Sequence, residues 1–241
     1  MEGKNVILGV LVAMGLAIGG YFIGRGFIKS KTVDRYVTVK GISERDVKAD
    51  KGFWAIRFVI TDNDLRKAQS NIKRDRSIIL NFLRSNNIPE DNTELQNLSV
   101  QDKVANAYNN NFNQNRYVIS QTIMVRSEDP VPLENVSQKV GDLVDQGIVL
   151  EGDNYGPGSR PSYLFTGLNQ LKPEMIAEAT ENARKSAEKF AADSGARIGG
   201  IRKANQGIFQ ILARDRAPGV YEQNQLHKTV RVVSTIEYYL K

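Results

Sequence analysis

Cysteine is absent from the 241 residues and histidine occurs once, at His227. The first absence excludes disulfides, thiolate nucleophiles, iron–sulfur clusters and cysteine-based zinc sites. It does not choose a compartment, because an oxidising one permits disulfides without requiring them. The second excludes multi-histidine metal centres and the HExxH motif, and leaves His227 as the sole imidazole for any Ser-His-Asp triad. Excess charge is also scarce. Lys and Arg total 33 against 27 Asp and Glu, a net charge of +6. That mild excess favours anionic partners such as phospholipid headgroups or nucleic acid, but the basic stretches are interleaved with acids.

What is present is ordinary globular composition, 41 % apolar and 25 % charged, in a chain long enough to bury a core without staples. One segment stands apart. Val6 to Ile23 carries no charge over 18 residues, and as a helix at about 1.5 Å per residue it spans roughly 27 Å, near the thickness of a bilayer core. Lys4 precedes it, Arg25, Lys29 and Lys31 follow, and Tyr21 and Phe22 lie at its far end, where aromatic rings favour the interface. A membrane anchor is the expected role. A cleaved signal peptide is the alternative, although small-x-small cleavage patterns are poor here. Gly15 with Gly19, and Gly20 with Gly24, form small-xxx-small pairs that let helices approach closely in lipid. Residues 1–31 are thus read as anchor plus linker and 32–241 as one α+β domain.

Along that domain, Arg35–Lys40 alternates as a strand ended by Gly41, and Phe53–Thr61 as a second. Asp62 or Asp64 caps a helix running to about Ser85, with Leu65, Ala68, Ile72, Ile79, Phe82 and Leu83 as its apolar stripe. Asn86-Asn87-Ile88-Pro89 stops it. Strands are expected at 95–103 and 117–126, around an Asn-rich hairpin tip over 108–116. A helix follows over 132–145, then a Gly/Pro loop over 152–161 and a strand over 163–168. Pro173 is expected to open a long helix ending at Ser194 with Gly195 as cap. Its stripe is Ile176, Ala179, Ala183, Ala187, Phe190 and Ala191, and so many alanines imply a closely packed neighbour. A strand lies within 198–211, and an alternating strand over 230–240 closes the chain. The expected class is α+β, an antiparallel-rich sheet with two long helices packed on it, preceded by the apolar helix.

Chemistry-bearing patterns are few. The first long helix presents Arg66, Lys67, Lys73, Arg74 and Arg76, a face suited to anions such as lipid headgroups or nucleic acid. Aromatic rings are not interleaved with these charges, as single-strand stacking requires, so nucleic acid is not the expected partner. Gly156-Pro157-Gly158 and Gly199-Gly200 lack the Gly-Lys-Ser/Thr ending of a phosphate loop. His227 is placed in a polar loop, and no serine-nucleophile motif surrounds it.

Four stretches together resemble the SIMPL-domain family, which includes bacterial periplasmic proteins linked to oxidative-stress defence. They are Val37-Thr38-Val39-Lys40-Gly41-Ile42-Ser43-Glu44 with Asp50; Leu83 to Ile88 followed by Leu95 and Ser99; the series Ala179, Ala183, Ala187, Ala191, Gly195, Gly199; and the closing strand Thr229–Leu240. Ser43 stands where the family pattern has a second glycine. The resemblance implies an α+β fold, export across the inner membrane and assembly into large ring- or channel-like homo-oligomers. It implies no enzyme activity, no cofactor and no catalytic residue. Charge counting opposes it on topology, since more positive charge follows the span than precedes it, which favours a cytoplasmic domain. The reading adopted is an inner-membrane protein whose domain faces the periplasm.

Overall fold

A computed structural model of the chain describes residues 2–32, 35–105, 115–152 and 160–241. The fold is α+β with antiparallel sheets and an apolar helix, α1 (Glu2–Thr32), ahead of them. The chain divides into two compact units, one made of Met1–Ser43, Pro173–Phe209 and Val232–Lys241, the other of Glu44–Lys172 and Gln210–Arg231.

The larger unit is built on a sheet of order β3-β4-β2-β5, from β2 (Lys51–Asp62), β3 (Thr93–Asp102), β4 (Tyr117–Ser127) and β5 (Ser162–Leu164). β2 and β4 pair antiparallel without a break from Gly52↔Ser127 to Asp62↔Tyr117. Alternation along β2 puts Trp54, Ile56 and Phe58 inside, as expected, and α2 (Leu65–Ser85) covers them with Ala68, Ile72, Ile79, Phe82 and Leu83. Leu65 is the exception to the expected stripe, 43 % exposed at the first turn. Asp64 rather than Asp62 is the N-cap, its Oδ1 accepting from the N–H of Arg66 at 2.7 Å and of Lys67 at 3.3 Å. The stop is Asn87, at φ 63°. It lets the Ile88 N–H reach back to the Leu83 carbonyl and buries Ile88 beneath the helix end.

The smaller unit packs α5 (Leu168–Asp193), from Pro173 onward, on strands of a second sheet of order β1-β8-β6, with β7 also paired to β8. These are β1 (Tyr36–Lys48), β6 (Ile198–Asn205), β7 (Gln210–Ala213) and β8 (His227–Leu240), of which β7, residues 44–48 of β1 and residues 227–231 of β8 are counted in the larger unit. Met175, Ala179, Ala183, Ala187 and Ala191 form the buried line at strict four-residue spacing. Ala183 and Ala187 meet Val37, Ile236 and Tyr238. Phe190, expected in the stripe, is 52 % exposed, because the buried line steps by four from Ala187 to Ala191 and leaves position 190 to one side. Gly195, at φ +69°, ends the helix as expected, with the Ala196 N–H donating to the Ala191 carbonyl at 2.8 Å.

Several boundaries differ from the sequence reading. β1 does not stop at Gly41 but runs on to Lys48. α5 begins at Leu168, five residues ahead of Pro173, because Asp50 caps it from elsewhere in the chain. The helix expected over 132–145 is two, α3 (Pro130–Ser137) and α4 (Gly141–Asp145). Between them the backbone bonds tighten to three-residue steps, Lys139 N–H to Val136 and Val140 N–H to Ser137. The strand expected over 163–168 is only Ser162–Leu164, since Thr166 and Gly167 turn into α5. The strand expected within 198–211 is β6 and β7. His227 is the exposed first residue of β8, not a loop residue. The Asn-rich tip, apart from Asn115 and Arg116, and Gly156-Pro157-Gly158 lie outside the described residues.

Candidate functional site

Several residues that carry the family pattern turn out to be packing and capping groups. Gly41 lies beneath α5. A Cβ built on it would stand 1.8 Å from the Ala179 carbonyl oxygen and 2.5 Å from the Ala183 nitrogen, so β1 and α5 touch backbone to backbone there. Two residues on, Ser43 is buried and its Oγ donates to Glu178 Oε2 at 2.9 Å. Asn182 Nδ2 donates to the Ile42 carbonyl at 2.9 Å. Asp50 holds the start of α5. Its carboxylate accepts from the Thr166 N–H at 2.9 Å, the Thr166 hydroxyl at 2.9 Å and the Gly167 N–H at 3.1 Å. An anion at a helix N-terminus satisfies otherwise unpaired donors and meets the positive end of the helix dipole.

The basic residues of α2 share its outer face. Arg66, Lys67, Lys73 and Arg74 are exposed and Arg76 is half-buried beside the apolar stripe. Two of the five are already engaged. Lys67 Nζ lies 3.6 Å from Asp62 Oδ2, and Arg74 donates through Nε and Nη2 to Asp75 Oδ1 at 3.1 and 3.0 Å. Asp75 occupies a stripe position and is 1 % exposed, with no hydrogen-bond partner at Oδ2. Sequence reading passed over it because a single carboxylate in an apolar stripe has no motif.

On α1, Gly9–Phe27 has a mean hydropathy of 1.6 and none of this span is buried. Gly15, Gly19, Gly20 and Gly24 have nothing within 4 Å of a built Cβ, so both small-residue lines are open.

The larger unit also holds a charged cleft of about 490 Å³, lined by Glu44, Asp46, Arg214, Arg216 and Thr229. β1 lies beside β8, where Glu44 meets Arg231 and Asp46 meets Thr229. The Thr229 hydroxyl donates to Asp46 Oδ1 at 2.7 Å. Arg231 Nε lies 3.2 Å from Glu44 Oε1 but is buried without an aligned hydrogen bond. Arg214 follows β7 directly and donates through Nη2 to Asp215 Oδ2 at 3.1 Å. That bond, and then the charges of Asp215 and Asp46, hold the Arg214 guanidinium pKa above its usual value, against desolvation. Sequence reading missed the cleft because its residues come from segments more than 150 positions apart. His227 precedes it in the chain and is not among its lining. Among the described residues, no group of three or more His, Asp or Glu is placed to share a metal ion.

Gly41, Ser43, Asp50 and the alanine line of α5 thus serve packing and capping on an antiparallel α+β frame. The sequence profile of the SIMPL family, described as a protein of unknown function (DUF541), matches residues 37–235, and the chain belongs to that family. No curated protein matches the chain.

Proposed function

We propose that this SIMPL protein is a membrane-tethered, self-assembling envelope protein, anchored by α1 in the inner membrane with its folded units facing the periplasm. It serves as a non-enzymatic scaffold or channel-like assembly in envelope or oxidative-stress protection. The observation that carries the reading is the apolar span Gly9–Phe27, none of which is buried and which matches a bilayer in length and hydropathy. The glycine lines add a surface on which copies can associate. The stress role and the orientation follow the family resemblance. Orientation is tested by using the absence of cysteine. A single Ser70→Cys variant, on the exposed face of α2, is labelled in intact cells with a membrane-impermeant maleimide able to reach the periplasm. Labelling before lysis, on protein found in the membrane fraction, is the expected result. Labelling only after lysis, or recovery from the soluble fraction, overturns the reading.

A further inference from the structure

The cleft of the larger unit has two walls of opposite character. Glu44 and Asp46 are alternate residues of β1 and share one face. Arg214 and Arg216 leave the end of β7. Both strands flank β8, so at a strand spacing of about 4.8 Å the acidic and basic walls stand about 10 Å apart. Thr229 of β8, paired with Leu212 of β7, lies between them.

Most of the charges are already matched. Glu44 faces Arg231 and Arg214 grips Asp215. Two remain. Asp46 is exposed and has only the neutral Thr229 hydroxyl as a bonded partner. Arg216 is exposed and makes no ion pair or hydrogen bond among the described residues. One anion and one cation without a bonded counter-ion therefore face the same opening, with Asp46 also within electrostatic reach of Arg214, which Asp215 already holds. A ligand of single charge satisfies one wall and brings its charge against the other. A ligand with both charges satisfies both, and a guanidinium takes a carboxylate in bidentate fashion.

We propose that this cleft binds a small zwitterion, with its ammonium on Asp46 and its carboxylate on Arg216. This is the chemistry of a free amino acid or of a short peptide. The site lies within one unit and does not depend on membrane tethering or assembly.

The test titrates the whole chain in detergent with glycine, glycylglycine, acetate and methylammonium at low ionic strength, followed by calorimetry. One or both zwitterions bind saturably, and acetate and methylammonium bind at least about tenfold more weakly. Preference for glycine identifies an amino-acid site and preference for glycylglycine a peptide site. Arg216→Ala and Asp46→Asn each weaken binding about tenfold. Both positions are exposed, and Asn still accepts from Thr229, so thermal midpoints stay at the parent value. Acetate or methylammonium binding as tightly as the zwitterions, no saturable binding of either zwitterion, or binding unchanged in both variants overturns the proposal.

Discussion

Gly41 and Ala179 are in backbone contact: the carbonyl oxygen of Ala179 occupies the place where any larger residue at position 41 would carry its Cβ, 1.8 Å away. Substitution must push α5 off β1, because the obstructing atoms are backbone and cannot swing aside. Gly41→Ala is expected to destabilise the smaller unit by at least about 3 kcal/mol, the upper range for overpacking. Chemical denaturation measures it. A loss under 1 kcal/mol, roughly the strand-propensity scale, would contradict the contact.

Asp50 sets the start of α5 from the turn between β1 and β2. Asp50→Ala leaves the Thr166 and Gly167 donors unpaired and is expected to cost about 2 kcal/mol, with Asp50→Asn losing less because its amide oxygen still accepts. Denaturation midpoints of the two variants check the order. Equal losses would mean that the carboxylate is not the cap.

Lys228 is fully buried, and its Nζ donates to the Glu222 carbonyl at 2.7 Å and to the Glu222 carboxylate. Removing the two partners should not be symmetrical. Glu222→Ala strands an ammonium inside the protein and is expected to cost about 3 kcal/mol, whereas Lys228→Met removes the buried charge and leaves a carboxylate that can turn to water. The cost of the second is expected to be clearly smaller. The opposite order in urea unfolding would show that the ammonium reaches solvent.

Tyr163 is buried, and that burial, then the nearby charge of Glu134, raises its hydroxyl pKa to about 12. The ordinary value is about 10. Between these values the folded chain keeps a proton that the unfolded chain releases, so the contribution of Tyr163 to stability is constant below pH 10 and is lost as pH rises towards 12. Thermal midpoints between pH 9 and 12 should fall more steeply for the parent chain than for Tyr163→Phe. Parallel curves would contradict the shift.

These positions also show what the sequence could and could not reveal. The strand faces of β2, the stripe of α2 and the alanine line of α5 were legible because period and burial coincide within one element. The continuation of β1 through Gly41 was not, because a glycine reads as a break until the helix that requires it is in place. The early start of α5 was hidden for the same reason, as its cap, Asp50, lies 116 residues before Thr166. Asp75 and Lys228 escaped notice because a buried charge carries no local signature. The cleft escaped because β1, the residues after β7, and β8 meet only through sheet pairing. The basic face of α2 was legible as a face, but Asp62 and Asp75 already hold two of its cations.

Assembly of the tethered chain is measured by the mass, from light scattering, of the whole chain extracted in detergent beside that of residues 32–241 alone. A discrete homo-oligomer is expected for the whole chain. If 32–241 forms the same oligomer, the folded units carry the assembly. If it does not, α1 and its glycines Gly15, Gly19, Gly20 and Gly24 drive it. Monomers in both samples at high concentration would show that the protein does not self-assemble.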